Sequence, residues 1–410
     1  MRILQVDKFL RRQGGAAGYM LDLAELQRSA GHDVEFFSMA DETNQPATYE
    51  DLFPPYVELE PPPSSITGRL GTAATMIWSR KAENGMRAVV EDFRPDVVHV
   101  HNIYHQLSPS ILRPLAKRDI PVVMTAHDFK LVCPSYRLLD GDNVCEACIG
   151  SQFHHAARRR CKDGSLGASV VLAVESSAHR LGNAYDPIRT FICPSRFLLN
   201  KLREGGVYPD RLKRIPNFVD TDSIQTAEGP GEGYVFTGRL SREKGVDTLI
   251  EAVAMVDHAE LVIVGDGPER EALESLAGRL APERIQFCGH VDKDEVLTRI
   301  RSARAAVLPA RWHENMPLSI IEAHAAAVPM VVTNLGGSPE LIDEGKDGFI
   351  VAPDDPHQLA AALRKLEDDP AGAHRMGLAG RAKVADQFSA GPHLGEIMAT
   401  YAAAGATDQS

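Results

Sequence analysis

The sequence has no apolar run that approaches 18 residues, so we expect no helix that crosses a membrane. Its first residues, Met1 to Asp7, are typical of a strand and lack the apolar core and cleavage site of a secretory leader. The sequence also has fewer basic than acidic residues: 44 Lys and Arg and 56 Asp and Glu give a net charge of −12. General nucleic-acid binders are basic. We therefore expect a cytoplasmic protein with no nucleic-acid partner.

The 410 residues are 44% apolar and 24% charged, which is typical of a soluble globular protein with two or three domains. Short apolar runs alternate with longer amphipathic ones, the pattern of βαβ units. The predicted strands are Arg2–Val6, Val34–Phe37, Asp96–Val100, Pro121–Ala126, Thr190–Cys193, Tyr234–Thr237, Leu261–Val264, Ile285–Cys288, Ala305–Leu308 and Met330–Thr333. The predicted helices include Ala16–Ala30, Val246–Met255 and Glu269–Leu280. The fold class is therefore α/β, with two doubly wound, Rossmann-like parallel-sheet domains that we expect to face a central cleft.

We place the first domain at residues 1–215 and the second at 216–389. A final helical segment, 390–410, is expected to pack back on the first domain. The segment Pro54–Ser65 holds five prolines and predicts a loop within the first domain. Ligands of doubly wound sheets bind beyond the carboxyl ends of the strands, so the residues that follow each strand are the candidates for a site.

Two such segments in the second domain carry glycines. The strand Tyr234–Thr237 leads into a loop that begins at Gly238 and contains Arg239 and Lys244. Two cations in a glycine-bounded loop suit a diphosphate, although an ordinary solvated turn has the same composition. The next strand leads into Gly265 and Gly267, which allow a ligand to approach the backbone. This pattern is not a complete dinucleotide-binding motif.

A third segment follows the strand Ala305–Leu308. Pro317 suits the first position of a helix, whose free N–H groups would bind an anion or sugar hydroxyls. Glu314 lies just before this helix and Glu322 lies inside it. Glu322 could be an ordinary charge on a helix surface, but the apolar residues around it argue against that interpretation.

These three segments, in this order, resemble the retaining glycosyltransferases of family 4, also called glycosyltransferase group 1, which have the GT-B fold. The resemblance implies that Arg239 and Lys244 bind the donor diphosphate. It implies that Glu322 holds the ribose hydroxyls and Glu314 the hydroxyls of the donor sugar. The other donor-binding residues that the resemblance implies are Gly15, Asn217, Gly238, Gly265, Gly267, Asn315, Met316, Pro317 and Leu318. Asn315, Met316 and Pro317 stand where the family often has Gly-Phe-Gly.

His127 follows the predicted strand Pro121–Ala126 and matches the family's cleft histidine. The resemblance implies that His127 orients the transferred sugar or the acceptor; a structural histidine is the alternative. His99, His101 and His105 lie within or after a strand and are weaker candidates. Gly14 and Gly15 resemble the glycine loop that the family places near donor and acceptor.

The family moves a sugar from a nucleotide donor, of UDP or GDP type, to a hydroxyl acceptor, here a polysaccharide, lipid-linked or small-molecule one. We find no carboxylate pair at the spacing of a retaining hydrolase, so front-face substitution is the expected mechanism. Arg239, Lys244, Glu314 and His127 would be its catalytic residues, and no metal would be required for catalysis. A nucleotide-sugar epimerase and a non-catalytic nucleotide-sugar-binding protein are the alternatives.

Four of the six cysteines are clustered: Cys133, Cys145, Cys148 and Cys161 have the spacing C-x11-C-x2-C-x12-C. Four thiolates can form a closed structural zinc site, while free thiols and redox disulfides are the alternatives. The cluster resembles an insert that one subgroup of the family carries after a His-Asp-Phe-Lys segment.

Within the Cys-rich loop 133–161, the stretch His154 to Lys162 holds four Lys and Arg residues. It could bind the phosphate of a lipid-linked acceptor or a membrane surface, which would make the protein peripheral to the membrane. A solvated face is the alternative. Trp78 could likewise belong to an interfacial helix or to the core.

Overall fold

The structure is a computed structural model that describes residues 1–59 and 65–407. It divides into two compact units. Unit 1 comprises Met1–Asp140, Cys145–Ile215 and His393–Ser410, and unit 2 comprises Gly141–Val144 and Pro216–Pro392. Three prolines of the predicted loop, at positions 61–63, and the last three residues of the chain lie outside the described residues.

Unit 1 contains a six-stranded parallel sheet in the order β2-β1-β3-β4-β7-β8. The strands up to Ile215 are β1 (Arg2–Val6), β2 (Asp33–Phe37), β3 (Val97–Val100), β4 (Val122–Thr125), β5 (Leu139–Asp140), β6 (Asn143–Val144), β7 (Ile188–Cys193) and β8 (Leu212–Arg214). Ile3 of β1 lies opposite Val34 on one side and Val97 on the other. Every residue of β3 and of β4 is buried, as expected for central strands of a sheet with helices on both faces.

Serine caps define most of the long helices of unit 1. The helices are α1 (Gly14–Ser29), α2 (Ile66–Ile77), α3 (Arg80–Phe93), α4 (Leu112–Ala116), α5 (His154–Arg158), α6 (Leu166–Leu181) and α7 (Arg196–Glu204). The serines that precede α2, α3, α6 and α7 each accept a hydrogen bond from the N–H three residues later. Each such bond satisfies one of the N–H groups that a helix start leaves unpaired.

Unit 2 has a second six-stranded parallel sheet, in the order β11-β10-β9-β12-β13-β14. Its strands are β9 (Tyr234–Thr237), β10 (Leu261–Val264), β11 (Ile285–Gly289), β12 (Ala305–Leu308), β13 (Met330–Thr333) and β14 (Gly348–Val351). The helices are α8 (Val246–Ala254), α9 (Arg270–Leu280), α10 (Lys293–Ser302), α11 (Leu318–Ala325), α12 (Pro356–Asp368) and α13 (Pro370–Gln387). The last helix, α14 (Ala390–Ala403), enters unit 1 at His393. Across residues 1–59 and 65–407, none of the helices has the length and apolar content needed to span a bilayer.

The α/β class with two doubly wound parallel sheets is confirmed. Two edge strands, β8 and β14, were not predicted: all three residues of β8 and the middle of β14 are only half-buried, which weakens the apolar run that marks a strand. The glycine loop expected at Gly14 and Gly15 is wrong, because α1 begins at Gly14 and contains both residues.

Candidate functional site

Two turns at the carboxyl edge of the unit 2 sheet pack directly against each other. The N–H of Gly238 donates to the carbonyl of Val264, and the N–H of Leu240 donates to the carbonyl of Asp266. A Cβ added to Gly265 would overlap the Gly238 carbonyl, and one added to Gly267 would overlap the Leu240 backbone. The contact between the turns is therefore a structural reason for glycine at positions 238, 265 and 267. Their contact with a donor stays a prediction.

Lys244 and Glu314 meet at this edge. The Lys244 Nζ donates to Glu314 Oε1 at 2.6 Å, although the two residues are 70 positions apart. Their strands, β9 and β12, are neighbours in the sheet, which brings the segments after them together. The Lys244 side chain keeps 20% of its surface exposed, and the Arg239 side chain is exposed in the preceding turn.

Trp312, a residue that the sequence analysis missed, holds the same carboxylate. Its Nε1 donates to Glu314 Oε1 at 2.8 Å, and its ring lies 5.4 Å from the Lys244 Nζ. From the other side, the N–H of Gly337 donates to the Glu314 carbonyl at 2.7 Å. Glu314 is thus buried and fixed by its backbone and its side chain before any ligand binds. A lone Trp two residues before Glu314 was the only local signal.

Asn217 borders this cluster. Its Nδ2 donates to the Met316 carbonyl at 3.1 Å, and its backbone N–H points to the Met316 sulfur. Its Oδ1 is buried and accepts no hydrogen bond from any of the described residues. A buried amide oxygen without a donor is costly, which makes this atom a ready acceptor for a hydroxyl group.

Helix α11 starts one residue later than predicted. Pro317 is the N-cap in an extended conformation, with φ −69° and ψ 120°, and Leu318 is the first helical residue. The side chain of Pro317 itself makes no capping hydrogen bond. Asn315 and Glu322 are half-buried, with Glu322 in the second turn of α11.

In unit 1, His127 follows β4 and joins a second histidine. Its Nε2 lies 2.9 Å from His101 Nδ1, and the two rings are stacked with centroids 5.2 Å apart. Burial lowers the pKa of His127 to about 3 and places the pKa of His101 well below its usual value, so both rings are neutral at neutral pH.

Gly15 of the same unit is exposed in the first turn of α1.

Two buried amides decide which ring nitrogens carry the protons. The Gln5 Nε2 donates to Gln27 Oε1 at 2.8 Å, so Gln5 Oε1 is left to accept from His101 Nε2 at 2.9 Å. A neutral His101 then has an unprotonated Nδ1, which accepts from His127 Nε2. The acceptor nitrogen of His127 is therefore Nδ1, assigned through the hydrogen-bond network.

The network continues to the C-terminal helix. The Gln27 Nε2 donates to the Tyr401 hydroxyl at 3.0 Å, which lies 2.7 Å from His99 Nδ1. His99 Nε2 in turn lies 2.8 Å from the Thr125 hydroxyl. His99 and His101 thus belong to one buried network with residues of α1 and α14. Sequence analysis missed Gln5, although a glutamine within an apolar strand was a visible signal.

His105 belongs to a separate buried group. Its Nδ1 donates to Glu175 Oε1 at 2.9 Å, and the Lys130 Nζ donates to Glu175 Oε2 at 2.8 Å. These charges are paired within unit 1, and they lower the pKa of Glu175 to about 2 despite its burial. A structural role accounts for these contacts.

The four clustered cysteines lie near one another in unit 1. Burial and, to a lesser extent, the other three thiols of the cluster raise the pKa of Cys148 to about 12. All four are free thiols, so the disulfide alternative is not what the structure contains. Within the described residues, however, no three His, Cys, Asp or Glu side chains are arranged to hold a metal ion. A zinc site on the four clustered cysteines stays a prediction.

Comparison with known proteins covers almost the whole chain. The family model of Glycosyltransferase Family 4 matches residues 13–223, and that of Glycosyl transferases group 1 matches residues 222–383. A glycogen synthase of Mycobacterium tuberculosis is 38% identical over 406 residues, covering 92% of this chain and 87% of the relative. A GDP-mannose-dependent alpha-(1-6)-phosphatidylinositol monomannoside mannosyltransferase of the same species is 29% identical over 67% of this chain and 74% of its own length.

Solved structures agree on the fold. A sucrose-phosphate synthase from Thermosynechococcus elongatus covers 98% of both chains with a TM-score of 0.73 and 19% identity. The Anabaena protein HepE in complex with UDP and glucose covers 98% of this chain and 100% of its own, with a TM-score of 0.69 and 18% identity. The expected GT-B fold class is thereby confirmed. With one family model spanning more than half of its residues, the chain belongs to glycosyltransferase family 4.

Proposed function

We propose that the protein is a retaining glycosyltransferase that moves a sugar from a UDP- or GDP-linked donor to a hydroxyl acceptor in polysaccharide or glycolipid synthesis. Family membership supports sugar transfer. The names of two relatives, a glycogen synthase and a GDP-mannose-dependent mannosyltransferase, support a nucleotide-linked donor and an acceptor of this kind. The observation that carries the proposal is the preformed cluster of Lys244, Glu314 and the unpaired Asn217 oxygen.

In this proposal Lys244 exchanges its partner when the donor binds. Its ammonium group, held by Glu314 in the structure, would turn to the diphosphate, and the exposed Arg239 would add a second cation. Both would stabilise the negative charge that grows on the leaving diphosphate. Glu314, still held by Trp312, would then accept from hydroxyls of the sugar.

The remaining donor contacts follow the family pattern. Asn217 Oδ1 would accept from a sugar hydroxyl, and Glu322 would hold the ribose hydroxyls. The other donor-binding residues of this proposal are Gly15, Gly238, Gly265, Gly267, Asn315, Met316, Pro317 and Leu318. The N–H groups at the start of α11, which the N-cap Pro317 does not cap, are suited to an anion.

His127 would orient the transferred sugar or the acceptor hydroxyl. Because its Nε2–H is directed to His101, Nδ1 is the ring nitrogen of His127 that would accept a hydrogen bond from a hydroxyl group. Attack on the face from which the diphosphate leaves preserves the anomeric configuration, with the leaving oxygen as the proton acceptor. No carboxylate nucleophile is needed in that mechanism.

The test begins with calorimetric titration of UDP- and GDP-sugars, followed by an acceptor search with the tightest binder. We expect transfer, with retention read from the anomeric signals of the product by NMR. Release of an altered nucleotide sugar would identify an epimerase, and binding without turnover would identify a binding protein. An inverted anomer would overturn the retaining assignment.

Metal dependence is tested separately. We propose that catalysis needs no metal, so chelation with EDTA should leave the turnover unchanged. A structural zinc on the four clustered cysteines would appear as one zinc per chain in protein purified under reductant. Protein without zinc would overturn that second proposal and leave the transferase assignment intact.

A further inference from the structure

Helix α6 is built with its polar side inward. Its buried residues include Ser169, Ser176 and His179, together with Glu175, which has no exposed surface. Glu175 is held there by the buried Lys130. A surface helix of a globular protein normally buries its apolar side and exposes its polar side.

The outward side of α6 exposes four large aliphatic residues, with the half-buried Ser177 among them. Its exposed large residues are Leu166 (51% exposed), Val170 (41%), Val174 (51%) and Leu181 (85%). At about 100° per residue these four side chains fall within an arc of about 80°, and no charged residue of the helix lies in that arc. We call these four residues the aliphatic stripe. Single exposed leucines are ordinary, but a continuous stripe marks an interaction surface.

Positive charge lies on the segment that packs against α6. Helix α5 packs against α6, and Arg158, Arg159 and Arg160 at its end are all exposed. The backbone N–H of Lys162 donates to Ser169 Oγ at 3.0 Å, which ties this basic segment to the first turns of α6. Only Arg159 of the three arginines is shown in an ion pair, with the half-buried Asp140.

A second helix adds to the same region. Helix α2 also packs against α6, and it exposes Leu70. The carbonyl of Ile77 at its end lies 3.0 Å from the His179 Nε2 of α6. Trp78, which follows, is partly exposed at this junction. Exposed aliphatic residues and exposed arginines thus lie on helices that pack together, in a chain whose net charge is −12.

We propose that the aliphatic stripe and the three arginines form a docking surface for an anionic phospholipid bilayer. The aliphatic side chains would enter the headgroup region, and the guanidinium groups would bind lipid phosphates. An anionic bilayer is the partner that fits because it supplies both an apolar interior and negative charge. The proposal concerns attachment only and does not depend on the transfer reaction.

The test uses the full chain and two kinds of vesicle, one of phosphatidylcholine alone and one of phosphatidylcholine and phosphatidylglycerol in equal parts. In flotation assays the protein should bind the mixed vesicles and not the neutral ones. The double variant Val170→Ser/Val174→Ser should bind on the order of tenfold more weakly, because it removes apolar area. The matched control Leu280→Ser/Leu378→Ser changes two exposed leucines of unit 2 and should bind like the parent.

A second variant, Arg158→Gln/Arg160→Gln, isolates the charge. Its affinity for mixed vesicles should fall on the order of 25-fold, and the dependence on salt should weaken. Equal binding of both vesicles, or unchanged binding of both variants, would overturn the proposal. So would a dimer in sedimentation experiments that Val170→Ser/Val174→Ser converts to a monomer, since the stripe would then join two copies. Nucleotide-sugar titration and circular dichroism check that each variant is folded.

Discussion

Lowering the pH from about 7 to about 5.5 should destabilise unit 1 more than unit 2, because unit 1 holds four imidazoles whose pKa lies far below its usual value, and burial lowers the pKa of His179 in the same direction. Burial lowers the pKa of His99 and His127 to about 3 and that of His105 to about 4. It places the pKa of His101 well below the usual value. In the unfolded chain each of these imidazoles titrates near about 6.5.

The direction of the effect follows from proton binding. Below about pH 6.5 the unfolded chain takes up a proton at each imidazole, while the folded protein does not, so stability present above this pH is lost as the pH falls. Each histidine costs about 1 kcal/mol over this interval, and the four together about 4 to 5 kcal/mol. Asp7 acts in the opposite direction, because burial raises its pKa to about 6 and the folded state binds its proton first. Protonation of Asp7 offsets about 1 kcal/mol of this loss, so the free energy of unfolding of unit 1 should fall by about 3 to 4 kcal/mol in total.

The two tryptophans allow each unit to be followed by itself. Trp78 lies in unit 1 and Trp312 in unit 2, so Trp312→Phe leaves fluorescence that reports unit 1, and Trp78→Phe leaves fluorescence that reports unit 2. Urea titrations at both pH values then give two free energies of unfolding. Unit 2 should lose about 1 kcal/mol, from His324, whose pKa burial lowers to about 4.

Two results would refute this reasoning. One is a loss in unit 1 of less than about 1 kcal/mol, which would mean that the imidazoles are not held neutral. The other is an equal loss in both units, which would point to a general effect of charge. A further variant, His127→Gln, should reduce the loss in unit 1 by about one quarter, because it removes one of the four groups.

Four further predictions concern single residues. Lys244→Ala should lower kcat about 100- to 1,000-fold and leave the stereochemistry of the product unchanged. The exposed control Lys346→Ala should leave kcat unchanged. A nearly normal rate for Lys244→Ala would contradict its role at the diphosphate. Tyr401→Phe should cost about 2 to 4 kcal/mol in urea unfolding, because it removes a hydroxyl that bonds two buried side chains, and a cost below about 0.5 kcal/mol would contradict the network. Nitrogen-15 NMR at neutral pH should find the His127 proton on Nε2; a proton on Nδ1 would overturn the assignment. Gly265→Ala should destabilise unit 2 by about 2 to 4 kcal/mol, since φ is 140° there and a Cβ would overlap Gly238, and an unchanged urea midpoint would argue against that contact.

Most of the sheet was predictable because buried parallel strands are short, continuous apolar runs. Arg2–Val6, Tyr234–Thr237 and Ala305–Leu308 have the bounds that the sequence predicted. The edge strands β8 and β14 escaped because only one side of an edge strand is paired and their residues are less buried. The helix starts at Gly14 and Leu318 differ from the prediction by one or two residues, as is usual for helix ends.

The candidate site was predictable in its parts. The sequence alone placed Lys244 and Glu314 after strands, each within a local motif. Their contact depends on the strand order, since β9 and β12 are neighbours although β10 and β11 come between them in the chain. Trp312 belongs to the site through a hydrogen bond that its Nε1 donates to the Glu314 carboxylate.

The sequence by itself determined the fold class, the positions of the central strands and the family motifs, because burial and turn chemistry leave local patterns. Only the tertiary structure decided which polar groups pair. Gln27 and Tyr401 are 374 positions apart and share a hydrogen bond. The inverted burial of α6 was equally hidden, because Glu175 is buried only where Lys130 can neutralise it. Hydrogen bonds and ion pairs form between groups that folding brings within about 3 Å of each other. The periodic pattern of apolar and polar residues in the sequence does not show which distant groups come that close.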